Sequence, residues 1–318
     1  MILVVCLNPA LDITHEVAAV DWAGINRPAA VHDRPGGKGL NVARTLHALG
    51  ADVLVTGMAG GITGTGVAAA LSECGVRTAF TPVYGPTRRT FTVVDGSVAG
   101  GRVAGGRGGV AAFYEPGPVV GAAEFAGFLG DYREALAGAD AVVLSGSLPP
   151  GLPDSSYATL IEVASGLPVI LDAHGEALRL GVTAGPAIVK PNLAELTALS
   201  PRQPTAAAAA RELHAAGAGA VVVTLGHDGL LAVTAEGCWR ARPPAAVAGN
   251  ATGAGDAVAA ALAHGLVLGR PWDERLRHAV ALGAATAAAP VAGEFRSGDY
   301  TGALAAVTVD QVSAEEVG

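Results

Sequence analysis

Short, unbroken apolar runs separated by helical stretches constrain this chain most. Ile2–Leu7, Val53–Thr56, Ala141–Leu144, Val169–Asp172, Ala187–Lys190 and Ala220–Leu225 carry almost no polar residue. A strand with no polar face has to be covered on both sides, which parallel sheets achieve with helices. Between the runs lie helical segments. Leu40, Ala43, Leu46 and Leu49 make one buried stripe with Gly50 as its C-cap, and Val67–Ser72, Thr205–Ala216 and Asp273–Ala289 are further helices. The alternation predicts a three-layer α/β/α core around a mostly parallel sheet, with Leu230–Thr234 added antiparallel.

The rhythm breaks between Phe80 and Tyr114. Short β-like pieces such as Thr90–Val94 with glycine breaks predict a separate small sheet, and Gly100–Gly109 reads as the tip of a long hairpin. Ile13–Pro35 has mixed polarity and no helical period. No internal repeat appears, so the 318 residues are expected to form a single domain with a β-rich insert.

Hydrophobic residues make up 51% of the chain and aromatics only 4%, so alanine and valine must fill the core. A net charge of −8 without a basic run argues against nucleic acid as a partner. Cys6, Cys74 and Cys238 are far apart and lack metal spacing, which fits a reduced, cytoplasmic protein. Met1–Val5 has no positive flank and reads as a strand, not a leader. The uncharged stretch Val53–Leu71 is interrupted by glycines and threonines and reads as strand, loop and helix start, so no membrane span is expected.

Chemistry concentrates in Asn250-Ala251-Thr252-Gly253-Ala254-Gly255-Asp256, which runs into the alanine-rich segment Ala257–His264. A glycine turn opening a helix presents free backbone N–H groups and a partial positive charge, a ready anion site. Asp256 in the first turn adds a carboxylate able to take a proton. The alternative is a flexible loop whose acid merely complements the helix dipole.

Other motifs are less specific. Gly36-Gly37-Lys38-Gly39 offers backbone donors and an ammonium but is not a Walker loop, because His32 stands where that motif needs glycine and Gly39 where it needs Ser or Thr. Asn41 follows in the first helical turn, to bind hydroxyls or to cap. Lys190-Pro191-Asn192-Leu193-Ala194-Glu195 puts Asn192 and Glu195 on one helical face, as oxygen ligands for a hydrated Mg²⁺ or as a capping box. Gly64-Thr65-Gly66-Val67-Ala68-Ala69 fits the dinucleotide fingerprint and supports a rival nicotinamide-dependent oxidoreductase, although Thr81–Thr90 lacks the acid that would hold the ribose. Ser145-Gly146-Ser147 and His174 have no hydrolase elbow and read as loop residues.

Together these motifs resemble the PfkB (ribokinase-like) carbohydrate kinases, in the branch of 1-phosphofructokinase and tagatose-6-phosphate kinase. The resemblance rests on Leu7-Asn8-Pro9-Ala10-Leu11-Asp12, Gly36–Arg44, Thr87-Arg88, Leu144–Gly151, Lys190–Leu196 and Gly253–Asp256, which follow the family's order along nearly the whole chain. It implies a ribokinase-like core with a β-sheet lid formed by about residues 10–35 and 84–117. It makes Asp256 the catalytic base and the amides of Gly253, Ala254, Gly255 and Asp256 an anion hole. Lys190, Asn192 and Glu195 would serve ATP and Mg²⁺, the metal through water. Thr224, Gly226, Gly229 and Thr252 would line the nucleotide site. Asp12, Gly37, Lys38, Asn41, Arg88 and Arg27 would hold a sugar phosphate. The alternative is that Arg27 and Arg88 pair with lid carboxylates such as Asp33 or Asp95.

The implied activity is ATP-dependent phosphorylation of a ketohexose monophosphate, with fructose 1-phosphate first and tagatose 6-phosphate or fructose 6-phosphate as alternatives. A lid with exposed edges implies a homodimer. The competing readings are a kinase of bare sugars or nucleosides, the oxidoreductase, and a non-catalytic sugar sensor.

Overall fold

A computed structural model describes residues 1–97, 102–103, 106–107, 109–244, 252–289 and 293–313. The chain opens on β1 (Ile2–Cys6), β2 (Ala10–Val17) and β3 (Ala30–Gly36), then α1 (Lys38–Ala48), β4 (Val53–Ala59), α2 (Gly61–Glu73) and β5 (Arg77–Pro82). Next come β6 (Arg88–Asp95), the short pair β7 (Arg102–Val103) and β8 (Gly106–Arg107), and β9 (Val110–Tyr114). The alternation resumes with α3 (Ala122–Leu136), β10 (Ala141–Ser145), α4 (Ser156–Val163), β11 (Val169–Asp172), α5 (Gly175–Thr183) and β12 (Ile188–Val189). It continues through α6 (Leu193–Leu199), α7 (Ala206–Ala215), β13 (Ala220–Thr224), β14 (Leu230–Thr234) and β15 (Gly237–Arg242). The chain then runs through α8 (Ala254–Val267), α9 (Trp272–Ala288), α10 (Ser297–Ala306) and β16 (Thr308–Val312).

The main sheet has the order β16-β15-β14-β13-β12-β11-β10-β1-β4-β5. It is parallel from β5 to β13, and β14 to β16 extend it antiparallel, as expected for Leu230–Thr234. β1 lies between β4 and β10, so the chain winds outward from it first one way and then the other. The crevice beyond the carboxyl ends of β1 and β10 is the switch point where such sheets bind ligands.

Successive side chains of β1 serve the two faces in turn. Ile2, Val4 and Cys6 pack towards α1, α8 and α9, whereas Leu3, Val5 and Leu7 pack towards the helices that carry Phe128, Tyr132, Tyr157 and Leu178. α8 is buried almost all round, from Asp256 through Ala263. Its small side chains let α1 and α9 close over it, which accounts for the alanine-rich, aromatic-poor composition.

A second sheet, β3-β2-β6-β9, grows from the end of β1. β2 pairs antiparallel with β3 and parallel with β6, and β6 pairs antiparallel with β9. One expectation needs correcting. Phe80–Pro82 belongs to β5 at the edge of the main sheet, not to the small one. Ala10–Val17 and Ala30–Gly36 form strands of the lid sheet that the resemblance implies for residues 10–35; most of their side chains are only partly buried or exposed, which is why they show little periodicity. Within Gly100–Gly109, Arg102–Val103 pairs antiparallel with Gly106–Arg107, and the rest of the expected hairpin tip lies outside the described residues apart from Gly109. Asn250 and Ala251 of the glycine turn lie outside them too. Among the described residues no helix is long and apolar enough to cross a membrane, and Val53–Leu71 forms β4 and most of α2.

Candidate active site

The carboxyl ends of the central strands bring five separate stretches together, the start of α1, the ends of β10 and β11, the Lys190–Glu195 segment and the start of α8. Gly253 adopts the left-handed conformation, φ 84° and ψ −8°, which suits glycine and sets the entry into α8. The helical ladder starts with Ala257 N–H to Gly253 O at 2.9 Å, so the amides of Ala254, Gly255 and Asp256 lie ahead of it, at the positive end of the helix dipole. Thr252 precedes this turn at the surface.

Asp256 is buried, and its Oδ2 accepts a 2.8 Å hydrogen bond from Asn41 Nδ2 of α1. Burial, with the charge of Asp172 nearby, pushes its carboxyl up to about 6, against the opposing pull of Asn41, Lys190 and Lys38. Asp172 is fully buried at the end of β11 and pairs with Lys190 Nζ at 3.2 Å and Lys38 Nζ at 3.3 Å. The Ser145 hydroxyl donates to its other oxygen at 3.4 Å. Lys38 also lies 3.7 Å from Glu195 Oε1. Burial acts to lower the Lys38 ammonium, but Asp172, Glu195 and Asp256 outweigh it and raise the pKa above the ordinary lysine value. A side chain at Gly255 would stand 3.5 Å from Lys190 Nζ, which puts that ammonium directly beside the start of α8.

The glycines of Gly36-Gly37-Lys38-Gly39 do three different jobs. A Cβ at Gly36 would fall 2.0 Å from the Asp12 carboxyl, so this glycine leaves room for that side chain. Gly37 has φ 95° and caps α1, and a Cβ at Gly39 would lie 2.7 Å from Cys6 Cβ, so the helix packs closely on β1. Asp12 accepts from Thr90 Oγ1 at 2.6 Å, and burial raises its carboxyl despite that bond. Arg88 donates to the carbonyls of Asn8 at 3.2 Å and Glu115 at 3.4 Å and meets neither Asp33 nor Asp95. Arg27 is exposed in the loop between β2 and β3.

Asn192 and Glu195 form a capping box: Asn192 Oδ1 accepts from Glu195 N–H, and Glu195 Oε2 from Asn192 N–H, both at 2.8 Å. The capping alternative is therefore realised. Glu195 Oε1 still faces Lys38, leaving one carboxylate arm at the cleft. Among the described residues there is no cluster of three His, Cys, Asp or Glu able to cage a metal. This donor set fits Mg²⁺ held mainly by phosphates and water, since that ion usually keeps several waters and takes only one or two carboxylates.

Beyond the start of α8 opens a cavity of about 590 Å³. Its polar end is lined by Asn192, Thr224 and Gly255, and its far end by apolar residues of β14, α8 and α9. Thr224 bridges to Asn192 across the sheet, and its N–H bonds Pro191 O at 3.0 Å. Gly226 and Gly229 form the tight turn on one wall; a Cβ at Gly229 would strike Ala241 O at 2.1 Å. Asn8, Arg88 and Ser147, with Glu115 and Asp154, line a second cavity of about 480 Å³.

Residue-by-residue reading missed Asp172 and set Ser145 aside as a loop residue. The available signal was the acid closing the run Val169-Ile170-Leu171-Asp172, because a carboxylate on a buried strand needs partners. The dinucleotide fingerprint dissolves: Gly64 and Gly66 lie inside α2, three residues or more past its first residue Gly61, and do not form the turn between strand and helix.

A parallel sheet whose switch-point crevice faces a helix start, with a small second sheet growing from it, is the architecture of an ATP-dependent sugar kinase. The family model described as pfkB family carbohydrate kinase matches residues 6–295, and the chain belongs to that family. It is similar to phosphofructokinase-2 from Escherichia coli in complex with potassium, at 31% identity over 96% of this chain and 98% of that one, TM-score 0.86. The tetrameric inhibited form of the same enzyme matches at 32% identity over 96% and 98%, TM-score 0.85. A possible 1-phosphofructokinase from Thermotoga maritima matches at 26% identity over 98% and 100%, TM-score 0.87.

Proposed function

We propose that this kinase transfers the γ-phosphoryl group of ATP to a hydroxyl of a ketohexose monophosphate, fructose 1-phosphate first among them, giving fructose 1,6-bisphosphate and ADP. The observation that carries the reading is a buried carboxylate, Asp256, held by Asn41 in the first turn of α8, with the charges of Lys38 and Lys190 acting on it. The acceptor hydroxyl gives its proton to Asp256 as its oxygen bonds to the γ-phosphorus, and the bond from that phosphorus to the β-phosphate oxygen breaks. A carboxyl near 6 is ionised at neutral pH yet basic enough to take that proton. The amides of Gly253, Ala254, Gly255 and Asp256 receive the charge that develops on the transferring group, with Lys38 and Lys190 alongside. Asn192, Glu195, Thr224, Gly226, Gly229 and Thr252 hold the nucleotide. Glu195 and Asn192 would hold a Mg²⁺ ion, which would supply charge neutralisation to the phosphates.

Asp12, Gly37, Lys38, Asn41 and Arg88 hold the sugar, and Arg88 meets its phosphate. Support comes from Arg88 standing in the second cavity, where its guanidinium donates only to backbone carbonyls among the described contacts and a phosphate gains charge-assisted hydrogen bonds that a neutral sugar cannot. The small sheet, residues 10–35 and 84–117, acts as the lid of one kinase domain. Val31, Val110, Phe113 and Tyr114 are exposed on it, which supports a homodimer formed through paired lids. Free cysteines without disulfide partners accord with a cytoplasmic enzyme. A coupled ADP-release screen over fructose 1-phosphate, fructose 6-phosphate, tagatose 6-phosphate and the bare hexoses tests the reading. Turnover of the monophosphates well above the bare sugars supports it, and equal kcat/KM overturns the phosphate assignment.

A further inference from the structure

Asn41 ties the first turn of α1 to Asp256, and its amide has a second neighbour. Arg44 stands three residues further along α1, on the same face, and its Nη1 donates to Asn41 Oδ1 at 3.5 Å and to the Pro35 carbonyl at 3.1 Å. Its Nη2 lies 3.8 Å from Glu294 Oε1, which also accepts a 2.6 Å bond from Arg34 Nη1. The Arg44 side chain is only 12% exposed, so β3, α1 and the segment leading into α10 hold the guanidinium in one place. A Cβ at Gly293 would stand 3.0 Å from Asn41 Oδ1, so the backbone closes on the oxygen side of the amide as well. The titratable groups facing Arg44 are Glu294, Arg34, Cys74 and Asp12, and those facing Asp256 are Asp172, Lys190 and Lys38.

An amide has two unlike ends, and its neighbours decide which way it faces. Nδ2 of Asn41 donates to Asp256 at 2.8 Å, while Oδ1 faces a cation. Turned over, the amide would set its oxygen against the carboxylate and its NH₂ against a guanidinium that cannot accept a hydrogen bond. Building on the kinase reading above, we infer that Arg44 is a positioning residue for the phosphoryl transfer, acting through Asn41 by holding its amide with Nδ2 on Asp256. At 3.5 Å the bond to Oδ1 is long, so the guanidinium acts through the charge it sets beside that oxygen as much as through the bond itself. Pro35 and Glu294 supply the fixed geometry that a free surface arginine would lack.

The test is the pH dependence of kcat/KM on the preferred hexose phosphate for the full chain, Arg44→Lys, Asn41→Ala and the double variant, each checked for folding by thermal melting. Lysine keeps the charge beside Glu294, but its single nitrogen cannot bridge Pro35, Asn41 and Glu294 as the guanidinium does. The acid limb of Arg44→Lys is expected to move to higher pH by about 0.4–1 unit, the worth of one ordinary hydrogen bond. Added to Asn41→Ala, the same substitution should move the limb no further, because the amide it orients is gone. Net charge is unchanged, so the shift reports geometry and not the direct field of residue 44. Glu294→Gln, at a half-exposed position, provides a second variant that leaves α1 intact. Loosening Arg44 should move the limb to higher pH, whereas the field of a lost negative charge alone would move it lower. An unmoved limb in Arg44→Lys, an equal shift with and without Asn41, or a shift to lower pH in Glu294→Gln overturns the inference and leaves Asp256 as the base. A limb that Asn41→Ala itself leaves in place overturns both.

Discussion

Asn41 on α1 donates to Asp256 on α8 at 2.8 Å, tying together the first turns of two helices that the sequence separates by most of its length. The bond favours the ionised carboxylate, whereas burial and Asp172 favour the protonated one. With the carboxyl at about 6, kcat/KM should fall on the acid side with a midpoint near pH 6. Asn41→Ala removes a bond that lowers the pKa, so the acid limb should move to higher pH; a pH–rate profile of both proteins checks it. A limb that stays put would mean that Asp256 is not the group titrating.

Gly36→Ala should separate folding from substrate binding. The added Cβ would fall 2.0 Å from Asp12, but what it meets is the end of a side chain, which can swing aside. The variant is expected to fold and to bind ATP normally while its KM for the sugar phosphate rises at least ~10-fold, the cost of one lost charge-assisted hydrogen bond. Parallel titrations with nucleotide and sugar phosphate measure the split.

Arg88→Ala addresses the phosphate already on the substrate. Two charge-assisted bonds lost at about 1.5–3 kcal/mol each should raise KM for the hexose phosphate by two orders of magnitude or more. KM for ATP should not change, and discrimination against the bare hexose should shrink. Unchanged discrimination would mean that Arg88 only supports the carbonyls of Asn8 and Glu115.

Light scattering at micromolar concentration should give the mass of a dimer, because the small sheet exposes Val31, Phe113 and Tyr114 next to its free edges. A fully active monomer would remove the lid-to-lid interface.

The elements legible in sequence are those whose signals are local. Strands such as β1 and β11 are buried on both faces, so no other structure suits runs like Ile2–Cys6, and the Gly253–Asp256 turn is marked by glycines opening an alanine helix. β2 and β3 carry little periodicity because they are partly exposed, and the lid sheet they belong to is completed only by β6, much further along the chain. The glycines of Gly64–Ala69 misled because α2 begins earlier, at Gly61, and absorbs them. The end of β11 flagged Asp172 as an acid in need of partners, but which partners it would meet was hidden for a topological reason. Only the parallel order of β10, β11 and β12 brings it beside Ser145 and Lys190, and no spacing in the sequence encodes that order.

The central claim is that Asp256 takes the proton of the acceptor hydroxyl. Asp256→Asn keeps the shape and loses the basicity. It should also relieve the fold of a buried charge. A carboxyl raised from 3.8 to about 6 opposes folding by about 3 kcal/mol at most above pH 7, and the penalty disappears as pH falls below 3.8. The variant should therefore remain folded at neutral pH, so that its kinetics can be read directly. Steady-state turnover on the preferred hexose phosphate, with ATP affinity measured separately, is the decisive measurement. The account predicts a kcat lower by ~10²–10⁴-fold with ATP affinity nearly unchanged; a folded variant with near-wild-type kcat would contradict it.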